Sequence, residues 1–73
     1  MPKLYSSLHI VRVLQKRGFV YVSQRGSHVK FHKYIKNKTL TVIVPANKKE
    51  IPQGTFKSIL RQSDLAEKDF TSY

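Results

Sequence analysis

Leu8, Ile10, Val11, Val13 and Leu14 recur at the three-to-four-residue spacing of an amphipathic helix running to about Arg17, with Leu8, Val11 and Leu14 as its buried stripe, joined by Ile10 and Val13. Ser6 or Ser7 precedes this run, where a hydroxyl accepts a hydrogen bond from the helix's first free N–H groups. Gly18 follows it, and glycine readily takes the left-handed backbone that ends helices. From Phe19 the period changes to two. Phe19 and Tyr21 alternate with Val20 and Val22 in a stretch reaching Arg25, and Val29 and Phe31 alternate with His28, Lys30 and His32, which predicts two strands. Between them Arg25-Gly26-Ser27 predicts a tight hairpin turn: Gly26 reaches positive φ at little steric cost, and Ser27 stabilises turns through its hydroxyl.

Tyr34 to Lys38 reads as a polar connection with Asn37 available for a turn, and Thr39 to Val44 as a third strand of β-branched residues closed by Pro45. Ala46 to Gly54 reads as a loop carrying Lys48, Lys49 and Glu50. A helix starts at Gly54 or Thr55, with Phe56, Ile59 and Leu60 at i, i+3 and i+4. Asp64 with Glu67 has the spacing of a capping box for a last short helix through Leu65 and Phe70. The order α-β-β-β-α predicts an α+β fold: a three-stranded antiparallel sheet, helices on one face, and a short C-terminal helix. With Val29 and Phe31 beneath the helices, alternation sends His28, Lys30 and His32 together to the open face.

A chain of 73 residues predicts one domain spanning 1–73 with a modest core. Charge adds more. Fourteen Lys and Arg stand against four Asp and Glu, a formal net charge of +10, and they are spread along the chain rather than gathered in a tail. That imbalance predicts a polyanionic partner, and nucleic acid before a membrane, because neither helix pairs a broad basic face with an aromatic edge. No apolar run approaches the ~20 residues needed to span a bilayer, and Met1 to Ser7 lacks the pattern of a secretory leader, so a cytoplasmic protein is expected. Cysteine is absent, which excludes disulfides and thiolate zinc sites. The carboxylates do not predict a metal centre: Glu50 stands alone, and Asp64, Glu67 and Asp69 sit near the C-terminus, where capping accounts for them. No metal and no cofactor are expected.

Histidine supplies the chemistry. Imidazole takes and returns protons near neutral pH, which suits RNA cleavage, and His28 follows the turn where a strand of RNA can reach it. RNA carries its own nucleophile, the 2′-hydroxyl, so no Ser-His-Asp arrangement is needed. Arg25, Lys30 or Lys33 are candidates to hold the phosphate. His32, Lys48 and Lys49 are candidate RNA contacts, and His9 reads as structural or surface. Tyr5, Phe19, Phe31 and Phe56 read as core; Tyr21 and Tyr34 fit core or base stacking. The leading expectation is a ribonuclease, ahead of a non-catalytic RNA-binding module of the same fold. A DNA-binding or protein-interaction role comes third.

Several of these residues carry a resemblance. Leu14 followed by Gly18-Phe19, Gly26-Ser27-His28, the valine-rich strand ending at Pro45, and Gly54-Thr55-Phe56 running into Ile59-Leu60 together resemble the HicA-type (YcfA-like) toxins, over nearly the whole chain. The resemblance implies a double-stranded-RNA-binding-like fold, messenger-RNA interferase activity in a type II toxin–antitoxin system, His28 as catalytic residue, and a HicB-type antitoxin as partner. It departs from the family pattern at Asn47, where many relatives place a histidine two residues after the strand-ending proline.

Overall fold

The computed structural model describes residues 3–71. Helix α1 spans Ser7–Lys16 and begins as its sequence predicts, with Ser6 in extended conformation and its Oγ accepting the His9 N–H at 3.1 Å. Its end is a Schellman motif: Phe19 N–H donates to the Leu14 carbonyl, Gly18 N–H to Gln15, and Gly18 holds φ +98°. The buried stripe differs from the predicted one. Ser7, Ile10, Val13 and Leu14 point inward, while Leu8 is 59% exposed and Val11 half-buried. Ser7 holds the inward position because its polar groups are satisfied there: its N–H donates to the Lys48 carbonyl, and its hydroxyl donates to the Pro45 carbonyl and accepts from Lys48 N–H.

Strands β1 (Val20–Arg25), β2 (His28–Ile35) and β3 (Lys38–Pro45) form one antiparallel sheet in the order β1-β2-β3. Two-residue turns join them. Gly26 takes φ +58° at the first central position of one, and Lys36 takes φ +48° at the same position of the other. Tyr34 and Ile35 therefore belong to β2, not to the connection expected there, and β3 starts at Lys38 and includes Pro45. An unbroken register from His28↔Pro45 to Ile35↔Lys38 lengthens both strands.

Helix α2 spans Gln53–Ser63, starting just before the expected Gly54, and buries Phe56 and Ile59. It ends at Asp64, whose φ of +60° is the left-handed cap. Asp64 thus does not cap the last helix, α3 (Glu67–Thr71), as its spacing from Glu67 suggested. Asp69 does: its Oδ2 accepts the Ala66 N–H at 2.8 Å, and its Oδ1 meets Arg17 Nη2 at 2.9 Å, tying α3 to the end of α1. One apolar cluster fills the space between helices and sheet, including Ile10, Leu14, Phe19, Phe31, Val42, Val44, Phe56, Ile59 and Phe70. Tyr5 joins it, stacked at 4.8 Å on His9, whose Nε2 bonds the Phe70 carbonyl; His9 is structural. The helices cover one sheet face and leave the other open.

Candidate active site

Phe31 on β2 is buried under the helices, so the side chains in step with it (Val29, Lys33, Ile35) share the covered side, and His28, Lys30, His32 and Tyr34 project from the open one. His28 leaves the β1–β2 turn as the first residue of β2, flanked by Arg25 on β1 and Pro45 on β3. Lys30 comes next on that face, about 7 Å along the strand, between Ser23 and Ile43. Ser23, Gln24, Arg25, His28, Lys30 and Ile43 line a concavity of about 520 Å³. The imidazole is exposed, and among the described residues no hydrogen bond holds it.

Two backbone contacts brace the tip that carries it. Ala46 N–H donates to the Ser27 carbonyl at 2.7 Å, joining the turn to the end of β3, and Gln24 Nε2 donates to the Gly26 carbonyl at 3.0 Å. Gly26 serves the turn by its backbone, as expected, and Ser27 through its carbonyl.

Arg25 reaches this face through an irregularity. With strict alternation from Phe19, Arg25 falls on the covered side with Tyr21. The register instead runs Tyr21↔Phe31 and then Ser23↔Lys30, one extra residue on β1, and this bulge at Val22 turns Ser23 and Arg25 to the open face. All six β1 residues are exposed, because β1 is an edge strand beyond the reach of the helices.

Of the predicted site residues, Arg25, Lys30 and His32 share the open face with His28. Lys33 does not: it stands on the covered side, its Nζ 5.7 Å from the centre of the Phe19 ring. Lys48 and Lys49 also lie elsewhere, on the rim of an apolar groove with Leu8, Val11, Val29 and Val44. Sequence reasoning missed Ser23, Gln24 and Ile43 as walls of the concavity; the bulge hid the first, and no chemical signature marks the others. Among the described residues no three His, Cys, Asp or Glu side chains come together as metal ligands, and no helix is long and apolar enough to cross a membrane.

A basic α-β-β-β-α domain with a histidine presented on an open sheet is the setting in which residues 9–65 match the family described as HicA toxin of bacterial toxin-antitoxin. The match runs from the first turns of α1 to just past α2, and the chain belongs to this family of toxins. No curated protein matches it.

Proposed function

We propose that this toxin is a metal-independent endoribonuclease acting on messenger RNA, with His28 as its catalytic residue. The observation that carries the reading is the exposed imidazole between Arg25 and Pro45, facing a concavity shared with Lys30. His28 takes the proton of a ribose 2′-hydroxyl, and the freed oxygen attacks the adjacent phosphorus. The bond from phosphorus to the 5′-oxygen breaks as the new one forms. One product ends in a 2′,3′-cyclic phosphate, and the other leaves with a 5′-hydroxyl once its oxygen is protonated. Arg25 and Lys30 flank the attacked phosphate and offset the charge gathering on its non-bridging oxygens.

Proton return falls to His28 itself, Lys30 or solvent. His32 stands four residues along the strand, about 13 Å away, too far to serve the same phosphodiester. Ser23, Gln24, Arg25, His28, Lys30 and Ile43 line the concavity without a carboxylate among them, which supports a mechanism without metal, since two-metal hydrolysis needs carboxylates that converge on the phosphate. Family membership supports a HicB-type antitoxin that covers this face, and a cytoplasmic site of action where messenger RNA is met.

The test is cleavage of a labelled, unstructured RNA by wild-type protein and His28→Ala, both with chelator. Loss of a general base is expected to slow cutting by roughly 10²- to 10⁴-fold with binding retained. Equal cutting by both proteins overturns the assignment. Binding by both with cutting by neither makes the protein a non-catalytic RNA-binding module.

A further inference from the structure

Tyr34 is 71% exposed, more than any other large apolar side chain among the described residues. It lies on the same face as His28, six residues along the unbroken β2 register and about 20 Å away. His32 braces it, the rings meeting edge to face at 6.1 Å and 83°. Strand β1 begins at Val20, opposite His32, so no β1 residue pairs alongside Tyr34. The β3 flank is Thr39 and Thr41, both exposed and small enough to leave room over the ring. Tyr21, also exposed, is not equivalent, because it lies on the covered side against Phe31 at 6.3 Å.

We propose that Tyr34, backed by His32, is a base-stacking subsite for single-stranded RNA laid along β2, engaging a nucleotide a few positions from the phosphodiester at His28. The proposal rests on the ribonuclease reading and names its substrate class. Lys30 lies between the two points, where it meets the intervening backbone. A stacked base needs a free π-face, which a paired and stacked duplex does not offer, so the substrate is unpaired RNA. Stacking accepts any base, so the subsite fixes strand position and confers little sequence preference.

The chain has no tryptophan, so Tyr34→Trp introduces a single reporter. In the His28→Ala background, which keeps RNA intact, its fluorescence is followed while unstructured oligonucleotides are added, each with one abasic position. Quenching is expected, and it is expected to vanish when one nucleotide a few positions from the cleaved bond lacks its base. In the otherwise wild-type chain, Tyr34→Ala is expected to raise KM roughly 5- to 150-fold with kcat little changed, and Tyr34→Phe to behave as wild type. Unchanged KM for Tyr34→Ala, equal quenching by duplex RNA, or quenching indifferent to every abasic position overturns the subsite. The ribonuclease reading fails separately, by continued cutting in His28→Ala, and quenching recorded on mixing, before that cutting proceeds, then still decides the subsite. A chain that binds no RNA overturns both.

Discussion

Ser7 and Lys48 bond each other twice across 41 residues of sequence: Ser7 N–H donates to the Lys48 carbonyl, and Lys48 N–H donates to Ser7 Oγ, each at 2.9 Å. The same hydroxyl donates to the Pro45 carbonyl, so one buried serine fastens the start of α1 to the end of β3, beside the strand position that pairs with His28. Ser7→Ala leaves the Lys48 N–H and the Pro45 carbonyl without this partner. The expected loss is ~1–3 kcal/mol, read from chemical denaturation with an unchanged m-value. A loss below about 0.5 kcal/mol, smaller than a typical net hydrogen bond, contradicts the latch.

The two hairpin turns make an internal comparison. Gly26 and Lys36 occupy corresponding positions at φ +58° and +48°, but only the first is a glycine. Nothing lies within 4 Å of a Cβ built on Gly26, so Gly26→Ala meets no neighbour and its cost is conformational, ~1–2 kcal/mol. Lys36 already carries such a cost. Lys36→Asn, a residue that tolerates this conformation, is expected to stabilise the protein by ~0.5 kcal/mol, a fraction of the left-handed penalty. Thermal melts of both variants check the opposite signs; a lower midpoint for Lys36→Asn refutes the comparison.

These turns show why some of the molecule can be read from its sequence and some cannot. Ser6, Gly18 and Gly26 announce themselves because their chemistry suits only a few backbone positions. Lys36 gives no such signal, so Tyr34 and Ile35 look like loop although they continue β2. Leu8 looks buried because helix periodicity weighs apolar residues and overlooks a serine whose polar groups are all bonded. Asp64 has the spacing of a cap but takes the left-handed position, and the capping falls to Asp69. In the candidate site, alternation along β2 places His28, Lys30 and His32 together because that strand has no irregularity. Arg25 joins them only through a bulge that local composition does not mark.

The bulge invites an unusual test, deletion of Val22. In a regular strand, removing one residue turns every side chain on one side of the cut to the opposite face. Here the extra residue is the one removed, so Ser23 still pairs with Lys30 and Arg25 with His28. The deletion variant is expected to fold with a stability within ~1 kcal/mol of wild type, the size of a typical point change, and to keep RNA cleavage. An unfolded protein, or a folded one that has lost RNA cleavage, places the irregularity elsewhere.

Lys30 and Lys33 are three residues apart and equally plausible as phosphate ligands in a reading that weighs charge and proximity alone. The sheet separates them: Lys30 stands beside the concavity of His28, and Lys33 runs under the sheet, its ammonium over Phe19 and its Cε 3.4 Å from a Cβ built on Gly18. Both substitutions remove one positive charge, but only Lys30 stands where RNA phosphate meets the chain, so Lys30→Ala is expected to weaken RNA binding and reduce its salt dependence more than Lys33→Ala does. Only Lys30→Ala removes a cation from the charge that develops during cleavage. Its kcat is expected to fall about 10-fold or more, below the full effect of a buried oxyanion donor because the site is open to water. Lys33→Ala is expected to leave kcat unchanged and to lose ~0.5–1 kcal/mol of stability with its contact to Phe19. Single-turnover cleavage at saturating protein separates the two effects, and equal rates for both variants remove Lys30 from the catalytic group.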